Sequence, residues 1–474
     1  MIAKTLSQLP SVDAFLKSEE AVSLIAEYGR SEFVRAVRAE LEEIRRNILG
    51  MREDLTDEAT ADLQLLLPKI EMRLKKKYEP SLRKAVNATG VILHTGLGRA
   101  VLAEAAKKTI IDTIEGYCTL ATDPNTGRRG HRDIHLSDLL CAVTGAEAGT
   151  VVNNNAAATV LIFNTLAKGR EVIVSRGQLV EIGGSFRMPE VMETSGAVMR
   201  EGGTTNKTHL RDYAAAINEN TGAILRVHHS NFRIMGFFEE PGIEELVELG
   251  QANNIPVIDD LGSGALVDLA WFGLETEPMV QKSIQAGVDV SCFSGDKLIG
   301  GPQSGVIVGK AAIVEKIRKN PLSRAFRVDK MTIAGMEATL KLFLNPDKIA
   351  EKHPSYRMFS LSAAELGKRA SKVRRQILAE IPPRDASIAV IEGRSQVGSG
   401  SVPVETLPTK LLSVIPVHIS SEEMARKLRH YSPAVFPRVQ KNAVLFDFRT
   451  IQPDEDKLIK EALITLLKNE EEKK

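Results

Sequence analysis

The chain has little that would staple or anchor it. Its 474 residues include three cysteines, Cys118, Cys141 and Cys292. None belongs to a Cys-x-x-Cys pair, and the odd number argues against a disulfide framework, so a reducing cytoplasm is the expected compartment. No eighteen apolar residues run together, and no membrane span is expected. The first eight residues lack the apolar stretch and small-residue cleavage site of a signal peptide. Neither sign of charge is in excess, since 62 Lys and Arg stand against 61 Asp and Glu. Any surface for a polyanion must therefore be local. There is no internal repeat, no low-complexity linker and no expected metal site. What remains is a globular composition, 43% hydrophobic and 26% charged, in a chain long enough for two or three domains.

The first part reads as helical. Val34, Val37, Leu41, Ile44 and Ile48 recur at spacings of three and four, with charged residues between them and Gly50 behind. A shorter segment (Val12, Phe15, Leu16, Val22, Leu24, Ile25) precedes it, and a third helix is expected from about Asp57 to Leu67, stopping at Pro68. Residues 69–84 then carry seven positive charges (Lys69, Arg73, Lys75, Lys76, Lys77, Arg83, Lys84) against Glu71 and Glu79. Such a run reads first as a solvated helix face or a linker.

From about residue 90 buried strand-like runs alternate with helical stretches: 149–152, 171–174, 223–227 and 255–258. This is the pattern of an α/β domain with a mainly parallel sheet. After about residue 345, a helical stretch over 353–380 leads to short strands at 388–391, 411–415 and 443–448, a smaller α+β domain. The expected division is 1–67, a helical domain; 68–90, a basic linker; 91–343, the catalytic core; and 344–474, the C-terminal domain.

Three features of the α/β part carry chemistry. In Val151-Val152-Asn153-Asn154-Asn155-Ala156-Ala157-Ala158, a strand ends and small residues open a helix, whose N–H groups make a phosphate site. In Val257-Ile258-Asp259-Asp260-Leu261-Gly262, carboxylates end a buried strand where open α/β sheets bind ligands. A carboxylate there keeps a pyridine nitrogen protonated, with Asp260 preferred and Asp259 the alternative. In Phe293-Ser294-Gly295-Asp296-Lys297-Leu298-Ile299-Gly300-Gly301-Pro302, a lysine follows a strand, with Ser294 able to donate to a phosphate. Each feature alone has a plain structural explanation as a helix cap, a capping Asp or a surface lysine. Their order and spacing together give the pattern of the aminotransferase-like (fold type I) enzymes of pyridoxal 5'-phosphate, with Lys297 as the Schiff-base lysine.

The resemblance narrows further. Asn87-Ala88-Thr89-Gly90-Val91-Ile92-Leu93-His94-Thr95-Gly96-Leu97-Gly98-Arg99-Ala100, residues 152–158, Ser175-Arg176-Gly177-Gln178-Leu179-Val180-Glu181-Ile182-Gly183-Gly184, residues 260–264 and residues 293–303 are similar to the bacterial selenocysteine synthases, the L-seryl-tRNA(Sec) selenium transferases. The likeness covers nearly the whole chain and departs at Gln178, where an acidic residue is expected. It implies a pyridoxal-phosphate enzyme that turns seryl-tRNA(Sec) into selenocysteinyl-tRNA(Sec) by β-elimination through an aminoacrylyl intermediate and selenium addition from selenophosphate. It also implies a homodecamer, a ring of five dimers, with the N-terminal domain on the tRNA. Lys297 would take the Cα proton, and Lys297 or Asp296 would protonate the departing hydroxyl. Asn154, Asn155, Ala156, Ser294, Asp260, Ser230 and His229 would hold the cofactor. His228, His229, Ser230 and Asn231 follow an expected strand and would point toward the cofactor, although a core histidine satisfied by a carbonyl is an equal reading of His229. Arg99, Arg324 and Arg327, with Asp296, would bind the selenophosphate anion. Arg324 and Arg327 are expected on one helix face, and residues 128–132, with three arginines, are a further anion candidate. Gln178 and Glu181 are both open as the residue over the cofactor ring. Two other readings stand beside this one: a small-molecule β-eliminase or ammonia-lyase sharing the core, and a non-catalytic tRNA-binding protein.

Overall fold

The computed structural model describes residues 9–50, 63–184, 186–275, 277–398 and 400–468. Two compact units divide it, Met1–Lys84 and Ala85–Lys474.

In the first unit the helices Val12–Leu16, Glu19–Tyr28, Arg30–Gly50 and Leu63–Tyr78 share one core. The expected apolar stripe is there, with Val37, Leu41 and Ile44 buried against Phe15, Phe33, Leu66, Ile70 and Leu74. The last helix does not stop at Pro68 but runs through it to Tyr78. A proline removes one ladder hydrogen bond, while Leu66, Leu67, Ile70 and Leu74 on the same helix are buried, each worth about 1.5–3 kcal/mol. Packing wins, and residues 57–62 of the expected helix lie outside the described residues. The basic run is thereby largely helix face, and part of its charge is answered within the unit. Arg73 binds Glu40 and Glu43, at 2.9 and 2.5 Å, Lys75 binds Glu71, and Lys77 binds Glu32.

The second unit holds two sheets. Its strands are β1 (Ala85–Ala88), β2 (Ala148–Val152), β3 (Glu171–Ser175), the short pair β4 (Glu181–Ile182) and β5 (Phe186–Arg187), β6 (Val198–Gly202), β7 (Thr221–Val227), β8 (Val257–Gly262), β9 (Val290–Ser294), β10 (Gly305–Gly309), β11 (Ala386–Gly398), β12 (Ser401–Pro416), β13 (Ala434–Gln440) and β14 (Ala443–Asp447). The large sheet runs β2-β10-β9-β8-β7-β3-β6. From β9 to β6 its neighbours are parallel, and β10 alone runs antiparallel to both of its neighbours. Strands β2, β9 and β10 are buried throughout, as a sheet covered on both faces by helices requires.

The small sheet runs β1-β13-β14-β12-β11. Its first strand, in parallel register with β13, comes from the stretch expected to be linker. The helical stretch at 353–380 is two helices, Pro354–Ser360 and Ala363–Leu378. The second restarts at Ser362, whose hydroxyl and Glu365 cap each other's backbone, a capping box worth about 1 kcal/mol. Its Leu366, Ala370, Val373 and Ile377 cover the small sheet.

Candidate active site

Three strand ends of the large sheet converge. At the end of β2 the chain turns extended at Asn154 (φ −167°), whose carboxamide oxygen accepts from the Ala157 N–H at 2.8 Å and caps the helix Asn155–Leu166. The first turn leaves the N–H groups of Asn155 and Ala156 without intrahelical acceptors. Strand β10 backs this turn so closely that a Cβ on Gly305 would stand 2.1 Å from the Asn154 carbonyl oxygen. Only glycine fits there.

At the end of β8 successive side chains point to opposite faces, and the two aspartates part company. Asp259 is fully buried and binds Arg226 through both oxygens, at 2.7 and 2.8 Å, with Ser283 as a second partner. Asp260 faces the helix start. It accepts from Asn155 Nδ2 at 2.9 Å, from the Gly262 N–H at 3.1 Å and from Thr159 Oγ1 at 3.4 Å. Burial pushes its carboxyl above the ordinary value, against the pull of Asn155, the Gly262 N–H and Lys297.

Beyond β9 a tight turn carries Lys297. It is pinned by Gly295 N–H to Ser304 O and by Gly301 N–H to Gly295 O, both at 2.8 Å. Gly300 sits at φ +71°, where a Cβ would meet the buried His353 ring at 2.2 Å. His353 Nε2 lies 2.8 Å from the Ile299 carbonyl oxygen, which locks the turn from behind. Lys297 is 6% exposed. Burial depresses its amine first, and the Arg99 guanidinium adds to this; Asp260, Asp296 and Glu277 oppose them. Perturbed groups of this kind gather at functional sites.

These ends line a cavity of about 550 Å³ with Asn154, Asn155, Ala156, Ser230, Asp260, Ser294, Asp296, Lys297 and Arg99 in its wall. Arg99 follows Gly98 in the left-handed region (φ +61°) and reaches Asp296 Oδ2 at 2.6 Å. The sequence placed most of these residues. His228 and Asn231, expected beside the cofactor with His229 and Ser230, do line it, whereas Thr95, Val180, Ile182, Phe186 and Gly400, which also line the cavity, were not placed. They come from turns and short elements, β4 and β5 among them, whose position depends on tertiary packing. Of the adjacent pair His228 and His229, the alternation of a strand end puts only His228 inside.

Four expectations change. His229 is not in the cavity wall; its Nε2 lies 2.9 Å from the Gly177 carbonyl oxygen, beside the Phe232 and Phe238 rings. Arg324 and Arg327 do not join Arg99. They line a second cavity of about 490 Å³ with Arg129, His131, Arg132 and Arg318. Nor do they share a helix, because it ends at Ala325 and Arg327 bridges Val152. Neither Gln178 nor Glu181 lines the first cavity; Val180 and Ile182 do. Gln178 is 2% exposed, accepts the Val227 N–H at 2.9 Å and donates to Glu240 at 3.0 Å. An amide suits a place between a donor and a carboxylate, which accounts for its standing where an acid was expected.

The site suits pyridoxal phosphate. A buried amine, a strand-end carboxylate and a helix start whose Asn155 and Ala156 N–H groups have no intrahelical acceptor lie on one wall. Two buried polar atoms of that wall, Asn155 Oδ1 and Ser230 Oγ, have no hydrogen-bond partner, which fits a polar ligand beside them.

The family model for L-seryl-tRNA selenium transferase matches residues 85–452, and one for the N terminal of selenocysteine synthase matches residues 6–45. The chain belongs to the L-seryl-tRNA selenium transferase family. Among its relatives, the L-seryl-tRNA(Sec) selenium transferase of Alkaliphilus metalliredigens is 48% identical over 98% of this chain and 99% of its own. That of Alkaliphilus oremlandii is 45% identical over 97% and 98%. Among solved structures, a D-glucosaminate-6-phosphate ammonia-lyase shares the fold at 18% identity, with a TM-score of 0.55 over 83% of this chain and 98% of that one. The α/β core with its smaller C-terminal sheet is thus the aminotransferase-like fold, and in this transferase family the strand-end residues above fall inside the matched core.

Proposed function

We propose that this chain converts L-seryl-tRNA(Sec) to selenocysteinyl-tRNA(Sec), with pyridoxal phosphate in the cavity around Lys297 and selenophosphate as selenium donor. The observation that carries the reading is the meeting of a buried Lys297 amine, Asp260 and the Asn155 helix start in one cavity of a chain from this family. Lys297 would hold the cofactor covalently, Asp260 would keep its ring nitrogen protonated, and the Asn155 and Ala156 N–H groups with Ser294 would take its phosphate. When bound, the cofactor supplies an electron sink for the pair left by a departing proton.

The residues do the rest. The depressed amine of Lys297 has a neutral fraction able to take the serine Cα proton. The hydroxyl leaves Cβ as water, protonated by the Lys297 ammonium that carries the Cα proton. Selenium then bonds to Cβ as its bond to phosphorus breaks, Cα regains a proton through Lys297, and water carries the phosphoryl group away as phosphate. Arg99, held by Asp296, supplies fixed positive charge for the donor anion. Arg324 and Arg327, lying in the second cavity, would reach that anion only from a second copy of the chain. The homodecamer of five dimers is part of the same proposal; Ile111, Ile114 and Tyr117, 53%, 48% and 110% exposed, are apolar side chains that a second copy could cover. The helical first unit, with Lys69, Lys76 and Arg83 at its basic end, is proposed to bind the tRNA. No helix of the described residues is long and apolar enough to cross a membrane.

Visible absorbance of the lysine-bound cofactor, measured with tRNA binding, tests this. The expected result is a band that Lys297→Ala abolishes, with tRNA(Sec) bound in preference to tRNA(Ser). No band in the reconstituted protein would overturn the proposal, and a band without tRNA preference would favour a small-molecule eliminase.

A further inference from the structure

We propose that Glu277 is a positioning residue for the cavity, seating the tip of the β11–β12 hairpin against the His228–Asn231 segment. Glu277 is not in the cavity wall, yet two walls meet on it. It is 4% exposed. Its Oε1 accepts the Val402 N–H at 2.5 Å, its Oε2 accepts from Ser263 Oγ at 3.2 Å, and His228 Nε2 lies 2.9 Å from Oε2. His228 and Gly400, two residues before Val402, both line the cavity. Burial alone would push the Glu277 carboxyl up, but His228, the Val402 N–H and Ser263 outweigh it and hold it below the ordinary value. The carboxylate is ionised, and its bonds are charge-assisted.

The hairpin shows why a tether is needed. Val402 sits at φ +49° while 5% exposed. For a β-branched residue this is a genuine outlier, and such a conformation persists only where the surroundings enforce it. The tip is also closely fitted. A Cβ on Gly400 would stand 3.2 Å from Asn231 Cβ, and one on Gly398 would stand 2.5 Å from Val91 Cγ1. Pairing is irregular between Gln396 and Gly398. Glu277 therefore holds a strained strand entry in place, and with it one side of the cavity that also contains Asp260 and Lys297. Its consequence for catalysis rests on reading that cavity as the site for the seryl end of the tRNA.

The test uses full-length holoenzyme carrying Glu277→Gln, Val402→Gly or both. Glutamine keeps one acceptor oxygen but loses the charge and the second acceptor. Expected for Glu277→Gln are hydrogen exchange about tenfold faster in the peptide containing Val402 and a KM for seryl-tRNA raised about tenfold, with kcat much less changed. Adding Val402→Gly should recover most of that KM, because glycine adopts positive φ freely and the strain relieved corresponds to roughly tenfold. Ser263→Ala, which removes one donor and disturbs the fold less, should move exchange and KM the same way by about fivefold. Unchanged exchange and KM in Glu277→Gln and Ser263→Ala, or no rescue by Val402→Gly, would overturn the proposal. A wild-type enzyme without turnover of seryl-tRNA would instead count against the functional reading, and exchange at Val402 would still decide the role of Glu277.

Discussion

Replacing Gly305 with alanine should separate cofactor binding from folding. The added Cβ would lie 2.1 Å from the Asn154 carbonyl oxygen and 2.8 Å from the Asn155 nitrogen. A carbon–oxygen contact relaxes at about 3.5 Å, so the helix start must retreat by more than about 1 Å. Overpacking of this kind costs about 1–3 kcal/mol of stability. A shift of about 1 Å in a positioned group can cost about 100-fold in what it positions. Gly309 provides the control, because it lies on the same strand and its Cβ would stand 2.3 Å from the Asp289 carbonyl oxygen, away from the cavity. The assay titrates pyridoxal phosphate into each purified variant and follows the visible band, with thermal melts alongside. Both variants should lose similar stability, and Gly305→Ala alone should weaken cofactor binding by about 10–100-fold. Equal cofactor affinity in the two variants, both folded, would refute the assignment of the Asn155 helix start as the phosphate cradle.

Other perturbations test other parts. Arg99→Ala removes a positive neighbour that helps depress the Lys297 amine, so the pH at which half the protein carries lysine-bound cofactor should move upward; an unmoved midpoint would contradict that coupling. Because the folded Lys297 lies below its ordinary 10.5, the unfolded chain binds more protons there, and cofactor-free stability from this residue rises as pH climbs toward that value. Lys297→Met should flatten that rise in melts across alkaline pH. Gln178→Glu would set a second carboxylate 3.0 Å from Glu240 and should cost about 2 kcal/mol at neutral pH. The loss should shrink on acidification or with Glu240→Gln added, and melting curves insensitive to both would count against this account of Gln178.

What the sequence made legible was local. The residues 152–158, 257–262 and 293–302 each combine a strand end with the group that does chemistry, so a linear stretch carries both address and function. Asp260, preferred over Asp259, is the one that lines the cavity, but what settles this in the fold, the pairing of Asp259 with Arg226 and Ser283 far away in the chain, is not legible locally. The same limit explains the choice between His228 and His229. It also explains β1, whose four residues look like linker until β13 supplies a partner. Pro68 misled because a helix-breaking residue outweighs leucines on paper but not in a packed face. The arginines show the limit most plainly. Arg99, Arg324 and Arg327 suit one anion by chemistry, yet a single chain divides them between two cavities. Glu277 carried no motif at all, since its significance lies in the three segments that reach it.

Lys297, in this cavity, is proposed to make the chain a selenium transferase acting on aminoacylated tRNA. The most direct measurement is to incubate reconstituted protein with seryl-tRNA(Sec) and selenophosphate and to identify the amino acid released from the tRNA afterwards. Selenocysteine is expected from the wild type, and from Lys297→Ala only unchanged serine although the tRNA is still bound. Selenocysteine formed by Lys297→Ala, or none formed by wild type that carries lysine-bound cofactor, would contradict the proposal.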